Sequence, residues 1–117
     1  MVQALLIEDE QRIAELIKKG LEEQGLSVTI AYDGAMGKKL AIGNDYDIII
    51  LDVILPGMNG IDTAKAIMQS LPNCRIILFS GQAASVDLLA KARAEGYMFE
   101  VLPKPINPEK LLEKLKN

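Results

Sequence analysis

A chain of 117 residues, 50% of them hydrophobic and with mean hydropathy +0.17, is sized for one domain whose core needs neither disulfide nor structural metal. Thirteen Lys+Arg against sixteen Asp+Glu give a formal net charge of −3, which argues against a general nucleic-acid or anionic-membrane surface. One cysteine, Cys74, allows no intrachain disulfide, and the absence of histidine removes the commonest general base, its triads and most zinc sites.

The first apolar run, Leu5-Leu6-Ile7, meets Glu8-Asp9 after too few apolar residues for a signal-peptide core, and no stretch approaches the length of a bilayer span. A cytoplasmic location without membrane contact is expected, with Cys74 as a buried thiol in a reducing compartment. After Asp9, the positions Ile13, Leu16, Ile17, Gly20 and Leu21 follow the spacing of a helix packed on a sheet and ending near Gly25. Ser27–Ala31 reads as a second strand, ending on Tyr32-Asp33. Asp33 can cap a second helix to about Gly43, expected to be the weakest because of its glycines. The continuous run Ile48-Ile49-Ile50-Leu51 ends on Asp52 and suits a strand covered on both faces. Asn59 or Gly60 opens a third helix with Ile61, Ala64, Ile67, Met68 and Leu71 inward, stopped by Pro72-Asn73. The next buried run, Ile76-Ile77-Leu78-Phe79, ends on Ser80. Ser85 can cap a fourth helix with Val86, Leu89 and Ala92 inward. Val101-Leu102 leads to Lys104, and Asn107-Pro108 starts a fifth helix with Leu111, Leu112 and Leu115 buried.

Strands alternating with helices predict an α/β fold, (βα)5, with a doubly wound parallel sheet and right-handed crossovers. Strand order 2-1-3-4-5 sends the second strand to the edge and places the ends of the first and third side by side. Glu8, Asp9, Asp52, Ser80 and Lys104 then meet at the carboxyl edge, where ligands of open α/β sheets bind. Three acids held within about 5 Å repel by roughly 3 kcal/mol per pair at an effective dielectric near 20. Lys104 offers one compensating charge. A divalent cation is the natural complement, and oxygen ligands without sulfur or imidazole favour Mg²⁺. There is no P-loop, GxGxxG or kinase motif, so ATP binding is not expected. A phosphoryl group brought by another protein would find a carboxylate nucleophile, a cation, an ammonium and a hydroxyl.

Leu6-Ile7-Glu8-Asp9-Glu10, Leu51-Asp52-Val53, Leu55-Pro56-Gly57-Met58-Asn59-Gly60, Ser80-Gly81 and Lys104-Pro105 occur in this order at the ends of strands 1, 3, 4 and 5. In these residues the chain resembles the receiver domain of bacterial two-component response regulators, over nearly its whole length. The resemblance implies a flavodoxin-like fold in a single domain, 1–117, that acts as a phosphorylation-dependent signalling switch. It makes Asp52 the acceptor of a phosphoryl group from the phosphohistidine of a histidine kinase or histidine phosphotransfer protein. It also implies Mg²⁺ bound by Asp9, Asp52 and the Ile54 carbonyl, with Glu8 acting through water. Lys104 and the Ser80 hydroxyl are to contact phosphoryl oxygens, and Val53 and Gly81 to offer backbone N–H groups. The Lys104-Pro105 peptide is expected to be cis. Ile54 and Gln82 would tune the lifetime of the acyl phosphate. Such a domain is a phosphoacceptor that assists its own modification and hydrolysis rather than an enzyme with an external substrate.

Two departures bear on switching. Val101 stands where the family usually has an aromatic, and Gly96 to Lys104 is one residue longer than the common pattern, so Tyr97 or Phe99 could occupy related space. They motivate a competing expectation of a phosphorylation-independent binding or scaffold module. A third option, an aspartate-nucleophile phosphatase, lacks the second acid two residues after the nucleophile, where Ile54 stands. A homodimer or a target protein is expected to use either the first helix or the face formed by the fourth helix, fifth strand and fifth helix. The chain ends with the fifth helix, so no direct nucleic-acid contact is expected.

Overall fold

The computed structural model describes residues 1–55, 59–81, 85–104 and 107–115. The elements run β1 (Gln3–Ile7), α1 (Gln11–Glu23), β2 (Ser27–Ala31), α2 (Gly34–Gly43), β3 (Ile48–Asp52), α3 (Gly60–Ser70), β4 (Arg75–Ser80), α4 (Ser85–Ala94), β5 (Glu100–Pro103) and α5 (Pro108–Leu115). The five strands form one sheet in the order β2-β1-β3-β4-β5, every pair parallel. Among the described residues no helix is long and apolar enough to cross a membrane.

Continuous hydrophobicity in β3 has the expected cause. Ile49 and Leu51 face a core closed by Ala41 of α2, Ile61, Ala64 and Ile67 of α3, and Ala92 of α4. Ile48 and Ile50 face the other layer, closed by Ala14, Ile17 and Leu21 of α1 and Leu111 of α5. With helices on both faces, β3 is apolar on both sides from Ile48 to Leu51 and turns polar only at its last residue, Asp52.

Local chemistry fixes the helix starts. Asp33 Oδ1 accepts the Met36 N–H at 2.7 Å, Asn59 Oδ1 the Asp62 N–H at 2.8 Å, and Asn107 Oδ1 the Glu109 N–H at 2.9 Å. α1 ends through Gly25, whose φ of 94° lies in the left-handed region open to glycine. Ser85 does begin α4, but its side chain lies outside the described residues.

Four burial expectations need correction, the first being that α5 buries Leu111 while Leu112 and Leu115 are only partly covered. Ile13 and Leu16 are 40% and 65% exposed, and α1 buries Ala14, Ile17 and Leu21 instead. The helix is turned so that its small residues approach neighbours: a Cβ on Gly20 would stand 2.7 Å from Pro108 Cγ of α5. In α4, Val86 is 62% exposed, while Ala92 is fully buried and Leu88 and Leu89 partly so. Cys74 is half-buried rather than buried, and burial raises its thiol pKa. α2 puts one of its glycines to use, since Gly37 lies directly on the Ile7 side chain of β1 and a Cβ there would overlap it.

Candidate functional site

Parallel register aligns the strand ends. Ile7 pairs with Leu51, Asp52 with Phe79, and Ser80 with Pro103, so the residues that follow each strand share one edge. Glu8 continues the ladder, donating its N–H to Ala31 O at 3.0 Å. One carboxylate oxygen from each of Glu8, Asp9 and Asp52 lies within 4.8 Å of the others, as the topology requires.

Glu8 and Asp52 are 2% and 3% exposed, and Asp9 is half-buried. Glu8 Oε1 accepts the Glu10 N–H at 3.3 Å, whereas the buried Oε2 has no hydrogen-bond partner among the described residues. Burial, and after it the charge of Asp52, pushes the Glu8 pKa up to about 7 from the ordinary 4.5. A buried carboxylate oxygen without a donor is costly as an anion unless a proton or cation meets it. The donor set is all oxygen, so the residues fit a hard divalent cation such as Mg²⁺.

Asp52 is held at both oxygens. Oδ1 accepts the Ile54 N–H at 3.0 Å and Oδ2 accepts from Lys104 Nζ at 2.5 Å. Lys104 reaches this point because its own N–H donates to Ser80 O at 3.1 Å, continuing the β4–β5 pairing. Its stem runs over Gly81, where a Cβ would come within 2.9 Å of Lys104 Cβ. Ser80, half-buried at the end of β4, and exposed Gly81 complete the rim.

The expected N–H role of Val53 does not fit. The β3–β4 ladder extends one residue past Asp52, and the Val53 N–H is donated to Phe79 O at 3.1 Å. Ile54, 39% exposed, supplies the N–H that faces the carboxylate. Gly60 is also more than a turn residue. Its N–H donates to Val53 O at 2.5 Å, and a Cβ there would overlap the Asp52 carbonyl oxygen, so only glycine lets α3 start beneath the acceptor. The LPGMNG run carried that signal, although the spacing alone did not reveal the contact.

Val101 is half-buried opposite Leu78 and packs on the α3–α4 side of the sheet together with Tyr97 and Phe99. Tyr97 does not stand in for the missing aromatic near Ser80. Its hydroxyl accepts from Gln69 Nε2 at 3.1 Å, in the last turn of α3 and towards the amino ends of the strands. Its ring stacks on Phe99 at 5.9 Å and lies 5.4 Å from the Lys65 ammonium, which also pairs with Glu95. Gln82, the Lys104-Pro105 peptide and residues 56–58 lie outside the described residues.

The family model for the response regulator receiver domain matches residues 4–116. The response regulator ArlR of Staphylococcus saprophyticus is 34% identical over 99% of this chain and 51% of its own length. The transcriptional regulatory protein CpxR of Escherichia coli is 32% identical over 99% of the chain and 48% of its own length. The chain therefore spans about half the length of these curated relatives. Among solved structures, a receiver domain protein from Clostridium thermocellum superposes with a TM-score of 0.90 at 29% identity, covering 100% of this chain and 93% of that one. The response regulator TrrA of Thermotoga maritima, solved in complex with Mg²⁺ and BeF, superposes with a TM-score of 0.86 at 31% identity, covering 99% and 97%.

Proposed function

The chain belongs to the response regulator receiver domain family, and from that premise we propose that Asp52 is its phosphoacceptor, charged by the phosphohistidine of a histidine kinase or histidine phosphotransfer protein. The observation that carries this reading is the pairing of Asp52 Oδ2 with the Lys104 ammonium at 2.5 Å beside two further acids. An Asp52 oxygen attacks the phosphorus, the P–N bond breaks, and the imidazole leaves with that electron pair. Lys104 is already within reach of the oxygens that gain charge. The Ile54 and Gly81 N–H groups and the Ser80 hydroxyl are the further donors, Ile54 replacing Val53 in that role.

Glu8, Asp9, Asp52 and the Ile54 carbonyl are the residues that would hold Mg²⁺, Glu8 through water. When bound, the ion supplies charge neutralisation to the acids and to the transferring phosphoryl group. Hydrolysis of the resulting acyl phosphate returns the carboxylate, with the exposed Ile54 side chain beside the path of the incoming water. Ile13 and Leu16, exposed on the helix that follows Asp9, offer an apolar surface to the phosphoryl donor, and a cytoplasmic setting suits such an exchange.

Titration with Mg²⁺ and beryllofluoride, followed by amide NMR, tests the reading. Saturable shifts at Ile54 and Gly81 beyond those produced by Mg²⁺ alone, requiring beryllofluoride and lost in Asp52→Asn, are expected. Beryllofluoride-dependent shifts that persist in Asp52→Asn contradict it.

A further inference from the structure

The chain is poor in aromatics, with two Phe, three Tyr and no Trp. One of them lies under the cation of the acidic crevice. Phe79 is 1% exposed on β4, in register with Asp52 on one side and Leu102 on the other. Lys104 Nζ stands 5.5 Å from the centroid of its ring and 2.5 Å from Asp52 Oδ2. The ammonium is therefore held between a carboxylate and an aromatic face, whose quadrupole attracts a cation at this distance.

The floor matters because the lysine is otherwise loosely confined. Its side chain is 35% exposed, and a four-methylene stem has many rotamers that would place the head in water. The Ser80 carbonyl fixes its backbone and Gly81 leaves room for its stem, but neither restrains the ammonium. Asp52 restrains it only while the carboxylate carries full charge. Once phosphoryl transfer turns that carboxylate into an acyl phosphate, the direct ion pair with it weakens at the stage when the ammonium must neutralise phosphoryl oxygens. A neutral ring attracts the cation in both states and adds no negative charge to compete with the phosphoryl group.

We propose that Phe79 is a positioning residue for phosphoryl transfer, holding the Lys104 ammonium at the phosphoryl site before and after Asp52 is modified. This rests on Asp52 being the acceptor. The ring acts through Lys104 and touches no reacting atom.

The test replaces Phe79 alone with mono-, tri- and pentafluorophenylalanine, which keep the ring's shape and apolar contacts while draining its negative face. Phosphorylation of Asp52 by acetyl phosphate with Mg²⁺ is expected to slow stepwise with fluorination, by about threefold to tenfold for the fully fluorinated ring. The urea midpoint should change little across the series. In the metal-free, unmodified protein, the Lys104 ε-methylene proton signals should be displaced by the ring current and should return to ordinary positions in Phe79→Leu. A rate indifferent to fluorination, or Lys104 signals unmoved by Phe79→Leu, overturns the proposal and leaves Phe79 a packing residue. Wild-type protein that accepts no phosphoryl group overturns the Asp52 reading instead, and the metal-free Lys104 signals then decide separately whether the ring holds the ammonium.

Discussion

Lys104 Nζ donates to Asp52 Oδ2 at 2.5 Å although the two residues are 52 positions apart in the chain. The contact exists because β3 and β5 flank β4 and end in register. It brings one ammonium to a crevice of three carboxylates, which it cannot balance. Glu8, the most deeply buried of the three, has its pKa raised first by that burial and then by the charge of Asp52.

Asp52→Asn removes the second-largest cause of that rise and leaves the largest, burial, in place. The Glu8 pKa in the metal-free variant should therefore fall below about 7 while staying above the ordinary 4.5. Carboxyl carbon NMR of Glu8 against pH reads this directly. A Glu8 titration unchanged by Asp52→Asn would place the two groups out of electrostatic contact.

Glu8 also couples stability to pH. Its folded pKa of about 7 exceeds the 4.5 of the unfolded chain, so the native state binds the extra proton between those values. Its contribution is fully present below 4.5 and is lost as pH rises through about 7. Relative to Glu8→Gln, the metal-free wild type should lose on the order of 2–3 kcal/mol across that window and little beyond it. Urea melts of both proteins at several pH values measure the difference. A wild type that gains stability relative to Glu8→Gln as pH rises would reverse the sign and contradict the account.

Metal occupancy should oppose that loss. A cation among Glu8, Asp9 and Asp52 competes with the Glu8 proton, so Mg²⁺ affinity should increase as pH rises through about 7. Free Mg²⁺ at a hundred times its dissociation constant should stabilise the fold by about 2.7 kcal/mol. Thermal melts with and without Mg²⁺ check this, and equal midpoints would speak against a site in this cluster.

Gly60→Ala should be far more damaging than an alanine at an ordinary helix start. The new Cβ would overlap the Asp52 carbonyl oxygen, which is backbone and cannot swing aside. A loss of at least about 2 kcal/mol is expected, together with weaker Mg²⁺ binding, because relief requires shifting the acceptor strand. Chemical denaturation and a metal titration together test both parts.

Arg75 provides a control remote from the crevice. It donates twice to Glu100 of β5, at 2.9 Å each, and to the Lys114 and Leu115 carbonyls at the end of α5. Arg75→Ala should fray the last turn of α5, visible as faster amide exchange there. The stability cost should be only about 1 kcal/mol, since the pair is partly exposed. The rate of Asp52 phosphorylation should be unchanged.

What could be read from the sequence follows the strength of each local signal. The unbroken apolar runs of β3 and β4 and the three capping side chains correspond to definite local physics, and strand order followed from which runs ended on chemistry-bearing residues. The rotation of α1 did not follow, because the stripe through Ile13 and the stripe through Ala14 share Ile17 and Leu21. Contacts with the sheet and α5 choose between them. The N–H facing Asp52 belongs to Ile54 rather than Val53 because the ladder to Phe79 continues one residue beyond the carboxylate, a tertiary fact that no residue type announces. The ring beneath Lys104 was hidden for the same reason, since Phe79 looks like any core residue until β5 brings the lysine across it.

The most direct measurement is the mass of the protein after incubation with acetyl phosphate and Mg²⁺, with the adduct mapped to a peptide. One phosphoryl group on the peptide containing Asp52, absent without Mg²⁺ and absent in Asp52→Asn, is the result this account predicts. An unmodified protein under saturating donor, or a phosphoryl group on any other residue, would contradict it.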